Sequence, residues 1–257
     1  MTGRHGAPPA AGSSPVHRLP AEVKVAAALA FVIVVAVTPR RALPVLAMQG
    51  LAIGAVVGVA RLPLGFVVRR LAVVAPFLVA AALTAVVAGG PHVTVGPLSL
   101  SEPGMWAGAA IGAKTLIGAL TSIAVAGTTP IPDLLSGLGR LGLPGPLVAL
   151  AGFTLRYLDL VADGLARRRT AMTARGYRPR RLTQAGPLAA SLGTMFVHTY
   201  ERGERVHAAM LSRGFTGAMP VVAAAPRPRP WHWAAAAALP AVAAVALAVG
   251  WAGLGRA

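Results

Sequence analysis

The sequence predicts an all-α, polytopic membrane protein: a bundle of about five spans in the lipid bilayer, with two long cytoplasmic amphipathic helices. Three observations support this prediction. Hydrophobic residues make up 56% of the 257 residues and charged residues only 12%, about half the ~25% typical of soluble domains. The mean hydropathy is +0.68. Lysine and arginine (24) far outnumber aspartate and glutamate (7), as expected of a membrane protein with basic cytoplasmic segments.

The composition also narrows the classes of function. The chain has no cysteine, which excludes disulfides, thiolate metal sites and thiol nucleophiles. A formal charge of +17 is compatible with binding to nucleic acid. The excess of apolar residues favours a membrane protein instead, so no nucleic-acid partner is expected.

The N-terminal half is predicted to contain a tail followed by spans. Residues 1–20 are rich in Gly, Pro, Ala and Ser and are predicted to form a disordered cytoplasmic tail. Residues 21–143 hold the N-terminal spans, and residues 220–257 hold a linker and a C-terminal span. A spanning helix needs about 17–25 apolar residues. The first two apolar stretches are short, and the alternatives for them are tilted helices, re-entrant segments or a tight hairpin. The five apolar stretches are 23–38, 43–60, 71–89, 104–127 and 231–253.

Basic residues predict the orientation of the spans. Lysine and arginine concentrate on the cytoplasmic side of membrane proteins. Arg61, Arg69 and nine arginines between positions 156 and 202 are therefore expected in the cytoplasm, together with the N-terminus. Arg40 and Arg41 disagree with this orientation if the first stretch crosses fully.

Glycines recur every four residues in two of the apolar stretches, at 50, 54 and 58 and again at 104, 108 and 112. Small residues at this spacing let helices approach closely in lipid. Close packing and a sliding interface would each explain the pattern.

Residues 144–219 differ from the rest of the chain and are predicted to lie in the cytoplasm. Charged side chains interrupt a helical pattern there. Opposite charges recur three or four residues apart, as in Arg156/Asp159 and Asp163/Arg167, a spacing that places them side by side on a helix. Two long amphipathic helices are expected in this segment.

The two predicted helices end in the same way. The pattern Ala-Met-x-Ala/Ser-Arg-Gly-Tyr/Phe occurs at residues 171–177 and again 38 residues later, at 209–215. A glycine just past a helix end adopts the left-handed conformation that terminates the helix, and the helix dipole favours the preceding arginine. Capping alone explains either end, but it requires neither the methionine nor the aromatic residue. The matched pair indicates a partner with two equivalent binding sites.

These two motifs resemble the hallmark of a known family. The sequence resembles the transmembrane T component of energy-coupling factor transporters (the EcfT/CbiQ family), the vitamin and metal importers driven by ABC-type ATPases. In that family, two Ala-Arg-Gly-like motifs end two cytoplasmic coupling helices, and the resemblance covers most of residues 19–253. The motif residues here are Ala174, Arg175, Gly176, Ser212, Arg213 and Gly214.

The resemblance implies a non-catalytic subunit of a prokaryotic plasma membrane transporter, with no cofactor of its own. The subunit would bind two ABC-type ATPase subunits from the cytoplasm and a separate substrate-capture membrane subunit, the S component. Arg175 and Arg213 would enter grooves of the ATPases and meet acidic side chains. Arginine suits such a contact because its planar, permanently charged group binds carboxylates through two hydrogen bonds.

Other positions bear on the substrate and on the capture subunit. Arg156-Tyr157 and the segment 213–217 read most like the cobalt branch of the family (CbiQ-like), so cobalt is the expected substrate. Nickel, biotin or another vitamin is the alternative, because another subunit recognises the substrate in this family. Lys114 is an ionisable residue within a predicted span, and such residues are functional candidates. Lys114, Arg156 and Tyr157 are therefore expected to contact the capture subunit or to be structural.

The alternative from a different class of function is a membrane-embedded lipid-modifying enzyme. Such an enzyme would need acidic or histidine residues clustered near one membrane face. The seven acidic residues are scattered, and none of the six histidines lies four residues from another. No catalytic, cofactor or metal site is therefore predicted in this chain.

Overall fold

The structure is a computed structural model that describes residues 14–89, 91–95, 98–177, 186–215 and 228–254. These residues divide into two compact units. The bundle unit contains the described residues up to 142 and from 228 onward, and the helix-pair unit contains those from 143 to 215. The described helices are α1 (Pro15–Arg18), α2 (Ala21–Val37), α3 (Leu43–Val59), α4 (Leu64–Leu71), α5 (Ala75–Val87), α6 (Glu102–Thr128), α7 (Ile131–Arg140), α8 (Gly145–Ala174), α9 (Gly186–Leu211) and α10 (Pro230–Leu254).

The predicted all-α membrane bundle is confirmed, although the set of spans differs in part. Within the described residues, four helical segments are long and apolar enough to cross a membrane: Leu64–Val87, Glu102–Thr128, Gly145–Ala174 and Pro230–Trp251. The first joins α4 to α5 through a 3-10 turn (Ala72–Val74). The third, α8, was not among the five predicted stretches. Most of its charged side chains lie in its second half, and they predict a cytoplasmic helix.

The first two predicted stretches form the short helices α2 and α3, each of 17 residues. A tight turn joins them, in which Ala42 N–H donates to the carbonyl of Pro39 at 3.1 Å. At ~1.5 Å per residue, each helix is about 25 Å long. Both therefore lie at the lower limit of the length needed to span a bilayer.

A short β-hairpin precedes α6 and was not expected from the sequence. Strands β1 (His92–Val95) and β2 (Leu98–Ser101) are antiparallel, with His92 opposite Ser101. Ser101 is fully buried, and its side chain accepts a hydrogen bond from the backbone N–H of Gly104, which caps α6. Each strand has four residues, so the alternation of apolar and polar residues was too short to be distinctive.

The prediction of a disordered tail over residues 1–20 is wrong for its last part, which is ordered. Residues 15–18 form α1, which is preceded by the buried Ser14. The Ser14 hydroxyl lies 2.6 Å from Nδ1 of His17. Tertiary packing against the bundle orders this segment, and a polar composition does not reveal such packing. Residues 1–13 lie outside the described residues.

The core of the bundle unit forms around α6. Helices α2, α3, α4 and α5 all contact α6, and α10 packs against α2 and α3. The buried side chains of the main cluster are Phe31, Val35, Leu46, Ile53, Ala110, Ile117, Ala124 and Ala243. One polar residue, Gln49, is buried beside them, and its Nε2 donates to Thr38 Oγ1 at 3.2 Å and to the carbonyl of Ala243 at 3.4 Å. Gln49 thus links three helices in an apolar setting.

Two lysines bind α2 and α6 to each other in a reciprocal way. Near the start of α2, Lys24 Nζ donates to the carbonyl of Thr128, the last residue of α6, at 3.0 Å. In α6, Lys114 Nζ donates to the carbonyl of Ala36, in the last turn of α2, at 2.8 Å. The last four carbonyls of a helix lack partners within the helix. Each lysine therefore satisfies the C-terminus of the other helix and complements its dipole.

The glycines of α6 allow close contact with α5. A Cβ at Gly104 would lie 2.5 Å from the carbonyl oxygen of Thr84, and one at Gly108 would lie 2.5 Å from that of Ala81. Close packing therefore explains these two glycines. The stripe in α3 differs, because a Cβ at Gly54 would meet nothing within 4 Å.

We expect Gly108→Ala to destabilise the bundle unit, because the added methyl group would push the backbone of α5 away. Overpacking of this kind costs about 1–3 kcal/mol. Gly118→Ala is the matched control on the same helix, since a Cβ at Gly118 meets nothing within 4 Å. Removing this helical glycine is expected to be neutral or to stabilise by up to ~1 kcal/mol. Thermal unfolding in one detergent measures both, and equal melting temperatures for the two variants would contradict the packing argument.

Candidate functional site

Helices α8 and α9 end in the same hydrogen-bonded motif. At the end of α8, Tyr177 N–H donates to the carbonyl of Met172 at 3.0 Å, and Gly176 N–H donates to that of Thr173 at 3.0 Å. Gly176 has φ +81°. Together these two bonds and the left-handed glycine define a Schellman motif. The repeated sequence pattern thus forms a specific backbone structure.

The end of α9 repeats this geometry. Phe215 N–H donates to the carbonyl of Met210, and Gly214 N–H donates to that of Leu211, both at 3.0 Å. Gly214 has φ +79°. The two helix ends therefore present equivalent backbones.

The motif also gives a structural reason for the methionine and the aromatic residue. In a Schellman motif, the residue two after the C-cap often makes an apolar contact with the residue three before it. Tyr177 and Met172 occupy these two positions in α8, and Phe215 and Met210 occupy them in α9. A Schellman motif favours apolar residues at these two positions without requiring them. The shared pattern is a complete helix-end motif.

The arginines occupy equivalent positions at these ends. Arg175 is the C-cap residue of α8, with φ −84° and ψ 13°, and the hydrogen bonds of α9 give Arg213 the same position. Both residues are exposed. Both therefore lie at the end of a long helix, where a partner surface can reach them. The other motif residues, Ala174, Gly176, Ser212 and Gly214, are also exposed.

The two long helices meet where Gly164 of α8 faces Met195 of α9. A Cβ at Gly164 would lie 3.7 Å from Met195 Cε. Close by, a guanidinium nitrogen of Arg168 donates to the carbonyl of Ser191 at 3.4 Å. The two helices thus contact each other at these residues within their own unit.

The charge pairs predicted in α8 do not form among its described residues, whereas charged side chains of α9 approach each other. Glu201 lies 3.5 Å from His198 and 4.0 Å from Arg205 along α9. Within the described part of α8, neither Arg156 and Asp159 nor Asp163 and Arg167 form an ion pair, which leaves these exposed charges to solvent or to a partner. In α8, Arg156 is exposed, and the neighbouring Tyr157 stacks on Phe153 with ring centroids 6.4 Å apart.

The remaining candidate, Lys114, has a structural contact that the sequence did not reveal. Its bond to the carbonyl of Ala36 joins residues 78 positions apart. Nothing in the local sequence signals that partner. Among the described residues, no group of three histidine, aspartate or glutamate side chains is placed to hold a metal ion.

Comparison with known proteins places the chain in a family. A family model described as CbiQ, cobalt transport protein, matches residues 12–222. The chain belongs to the CbiQ family. It is also 30% identical, over 102 residues, to the cobalt transport protein CbiQ of Rhodobacter capsulatus. That alignment covers 40% of this chain and 42% of the relative. The family assignment confirms the predicted resemblance to the EcfT/CbiQ proteins.

In this CbiQ family member, we expect Gly176→Ala and Gly214→Ala to loosen the helix ends. A residue with a Cβ pays roughly 1–2 kcal/mol in the left-handed conformation. Hydrogen exchange should therefore become faster over residues 172–177 or 210–215, respectively. Gly203→Ala is the control, because Gly203 lies inside α9 with open space around it and a helical backbone. Unchanged exchange at the ends in the first two variants would show that the motif does not depend on glycine.

Proposed function

We propose that this protein is the energy-coupling T component of an ATP-driven importer of the energy-coupling factor type. In this role α8 and α9 are the coupling helices. They pass the movement of two ABC-type ATPase subunits to a substrate-capture membrane subunit. The protein itself is non-catalytic, and ATP hydrolysis takes place on its partners. It lies in a prokaryotic plasma membrane, with its N-terminus and coupling helices in the cytoplasm.

The observation that carries this proposal is the pair of matched, arginine-bearing helix ends in a CbiQ family member. Two separate helices end in the same pattern of hydrogen bonds and present Arg175 and Arg213 at equivalent positions. A pair of similar ATPase subunits offers two equivalent grooves for two equivalent tips. A purely structural cap needs the glycine but has no need of the same exposed cation at both ends.

The chemistry of arginine fits this contact. Its planar group binds a carboxylate through two parallel hydrogen bonds and stays charged when water is excluded. Removing one partner of a buried, hydrogen-bonded charge pair typically costs ~2–5 kcal/mol. That range corresponds to roughly 30-fold or more in affinity. Two such contacts per complex would make the tips the main determinants of ATPase binding.

Cobalt is the proposed substrate, because the family model and the relative carry that description. The metal would be recognised on the capture subunit. Nickel, biotin or another vitamin is the alternative substrate, and the identity of the co-purified capture subunit distinguishes these cases. Lys114, Arg156 and Tyr157 are the proposed candidates for contact with that subunit.

The first experiment is a pull-down of the tagged chain from its native membrane in a mild detergent, with mass spectrometry of the bound proteins. We expect ATPase subunits and one further membrane subunit with the native chain. The Arg175→Glu/Arg213→Glu double variant should lose the ATPases, because each new carboxylate would face an acidic groove. Membrane levels of the variant must match those of the native chain.

The matched control is Arg202→Glu/Arg205→Glu. It makes the same charge change at two exposed positions of α9 away from the tip. We expect it to retain the ATPases. Loss of the ATPases in both double variants would indicate a general charge effect and contradict a specific role of the tips. Absence of any ATPase from the native sample would contradict the proposal itself.

A further inference from the structure

A cavity with charged and polar side chains in its wall lies in the bundle unit, where several helices begin or end. Its volume is about 260 Å³, and it is bounded by α1, the start of α2, the end of α6, α7 and the start of α10. Small-molecule sites usually measure ~300–1,000 Å³. This cavity is therefore sized for a single chemical group rather than for a nucleotide or a vitamin.

Two buried polar atoms in its lining have no hydrogen-bond partner among the described residues. One is Oγ1 of Thr129, whose residue is only 3% exposed, and the other is Nε2 of the half-buried His17. Leaving a buried polar group unpaired costs ~1–3 kcal/mol. A buried polar atom without a hydrogen bond therefore indicates that a partner is missing. Two orphans in the wall of one cavity indicate that the partner is a group bound inside it.

Hydrogen-bond chemistry indicates that this group is an acceptor. The Thr129 hydroxyl can donate a proton. The Ser14 hydroxyl lies 2.6 Å from Nδ1 of His17, and when it donates there, Nε2 carries the ring proton. Lys24 Nζ makes one bond, to the carbonyl of Thr128, and an ammonium group has three protons to donate. Three donors from different elements thus surround the cavity.

The charges around the cavity also favour an anion. Arg140 and Glu22 form an ion pair at 3.3 Å, which removes one charge of each sign. Lys24, Arg18 and Asp133 are the remaining charged lining residues, a net charge of +1. Asp133 lies in the first turn of α7, near enough to Lys24 for their charges to interact, and the helix dipole also stabilises its carboxylate. Burial and then the nearby Lys24 lower the pKa of His17, so its imidazole is neutral at pH 7.

An exposed tryptophan beside the cavity indicates that the cavity is near the headgroup region. The lining residue His232 is the third residue of α10, and its ring stacks on that of Trp231 at 3.8 Å. Trp231 is 58% exposed. Tryptophans are enriched at the membrane–water interface. A headgroup phosphate and a phosphate ion from the aqueous side are therefore the two sources of an anion of this size.

We propose that this cavity binds a phosphate group, held by Lys24, Thr129 and His17. A phosphate offers several acceptor oxygens that can satisfy all three donors at once, including both orphaned atoms. A metal cation is disfavoured, because the described residues offer no three-ligand group and Lys24 repels positive charge. The site lies in the bundle unit, shares no residue with the helix ends of the proposed coupling function, and does not depend on that function.

The experiment uses the full-length chain in detergent and two phosphate probes. Native mass spectrometry measures binding of phosphatidylglycerol, with phosphatidylcholine as the lipid control. Thermal unfolding measures stabilisation by inorganic phosphate against chloride at equal ionic strength. Lys24→Gln should weaken binding of the phosphate probe about tenfold, as expected for losing one charge-assisted hydrogen bond. Thr129→Val, which removes one neutral donor at nearly constant volume, should weaken it by about threefold or more.

Lys114→Gln is the matched control. It also removes a lysine whose Nζ donates to a helix C-terminal carbonyl, but Lys114 does not line the cavity. It should bind the probes as the native chain does. Weaker binding of phosphatidylglycerol in Lys24→Gln and Thr129→Val assigns the site to a lipid headgroup. Loss of the phosphate-induced rise in melting temperature, with lipid binding unchanged, assigns it to free phosphate.

Two results would overturn the proposal. One is that the native chain and both cavity variants bind every probe equally, which would leave only water in the cavity. The other is that Lys114→Gln weakens binding as much as Lys24→Gln does. If Lys24→Gln does not fold, Thr129→Val alone decides, and unchanged binding by that variant rejects the site.

Discussion

The reciprocal lysine contacts between α2 and α6 are the constraint on which the bundle unit depends. Lys24 reaches the last carbonyl of α6, and Lys114 reaches a carbonyl in the last turn of α2. The last carbonyls of a helix have no partner within that helix, so a lysine from the neighbouring helix satisfies one of them and complements the helix dipole. Once these ends are satisfied, α6 can lie at the centre of the unit and contact four neighbouring helices.

Packing on α6 then follows from side-chain size. Gly104 and Gly108 face α5 and let the two backbones meet. Ala110, Ile117 and Ala124 fill the main cluster of buried residues with α2, α3 and α10. Helices in lipid gain little from hydrophobicity alone, so close packing and interhelical hydrogen bonds supply the association energy. The buried Gln49 adds one such bond, to α10.

The parts of the fold that could be predicted are those that the local sequence determines. Apolar runs identified most helices, and the repeated Ala-Met-x-Ala/Ser-Arg-Gly-Tyr/Phe pattern identified two equivalent helix ends with their left-handed glycines. Contacts between distant residues could not be predicted. The partner of Lys114, the order of residues 14–20 and the cavity all arise from segments that meet only in the folded chain. The apolar first half of α8 was missed because the charges of its second half dominated the pattern.

The helix tips combine a rigid backbone with an exposed charge. Each arginine is the last residue before a left-handed glycine, so its backbone is fixed by the bonds of the motif. An exposed lysine or arginine inside a helix would present its charge sideways. An arginine at the C-cap presents its charge at the end of the helix. The equivalence of Arg175 and Arg213 thus comes from backbone geometry as well as from sequence.

The contact between Gly164 of α8 and Met195 of α9 limits how the lengths of these helices can change in evolution. Arg175 follows Gly164 by about three helical turns, and Arg213 follows Met195 by about five, at ~3.6 residues per turn. Each arginine therefore lies on nearly the same side of its helix as the residue that contacts the other helix. Insertion or deletion of one residue between them would rotate the tip by ~100°. Substitutions along these segments are compatible with the geometry, whereas changes in their length are not.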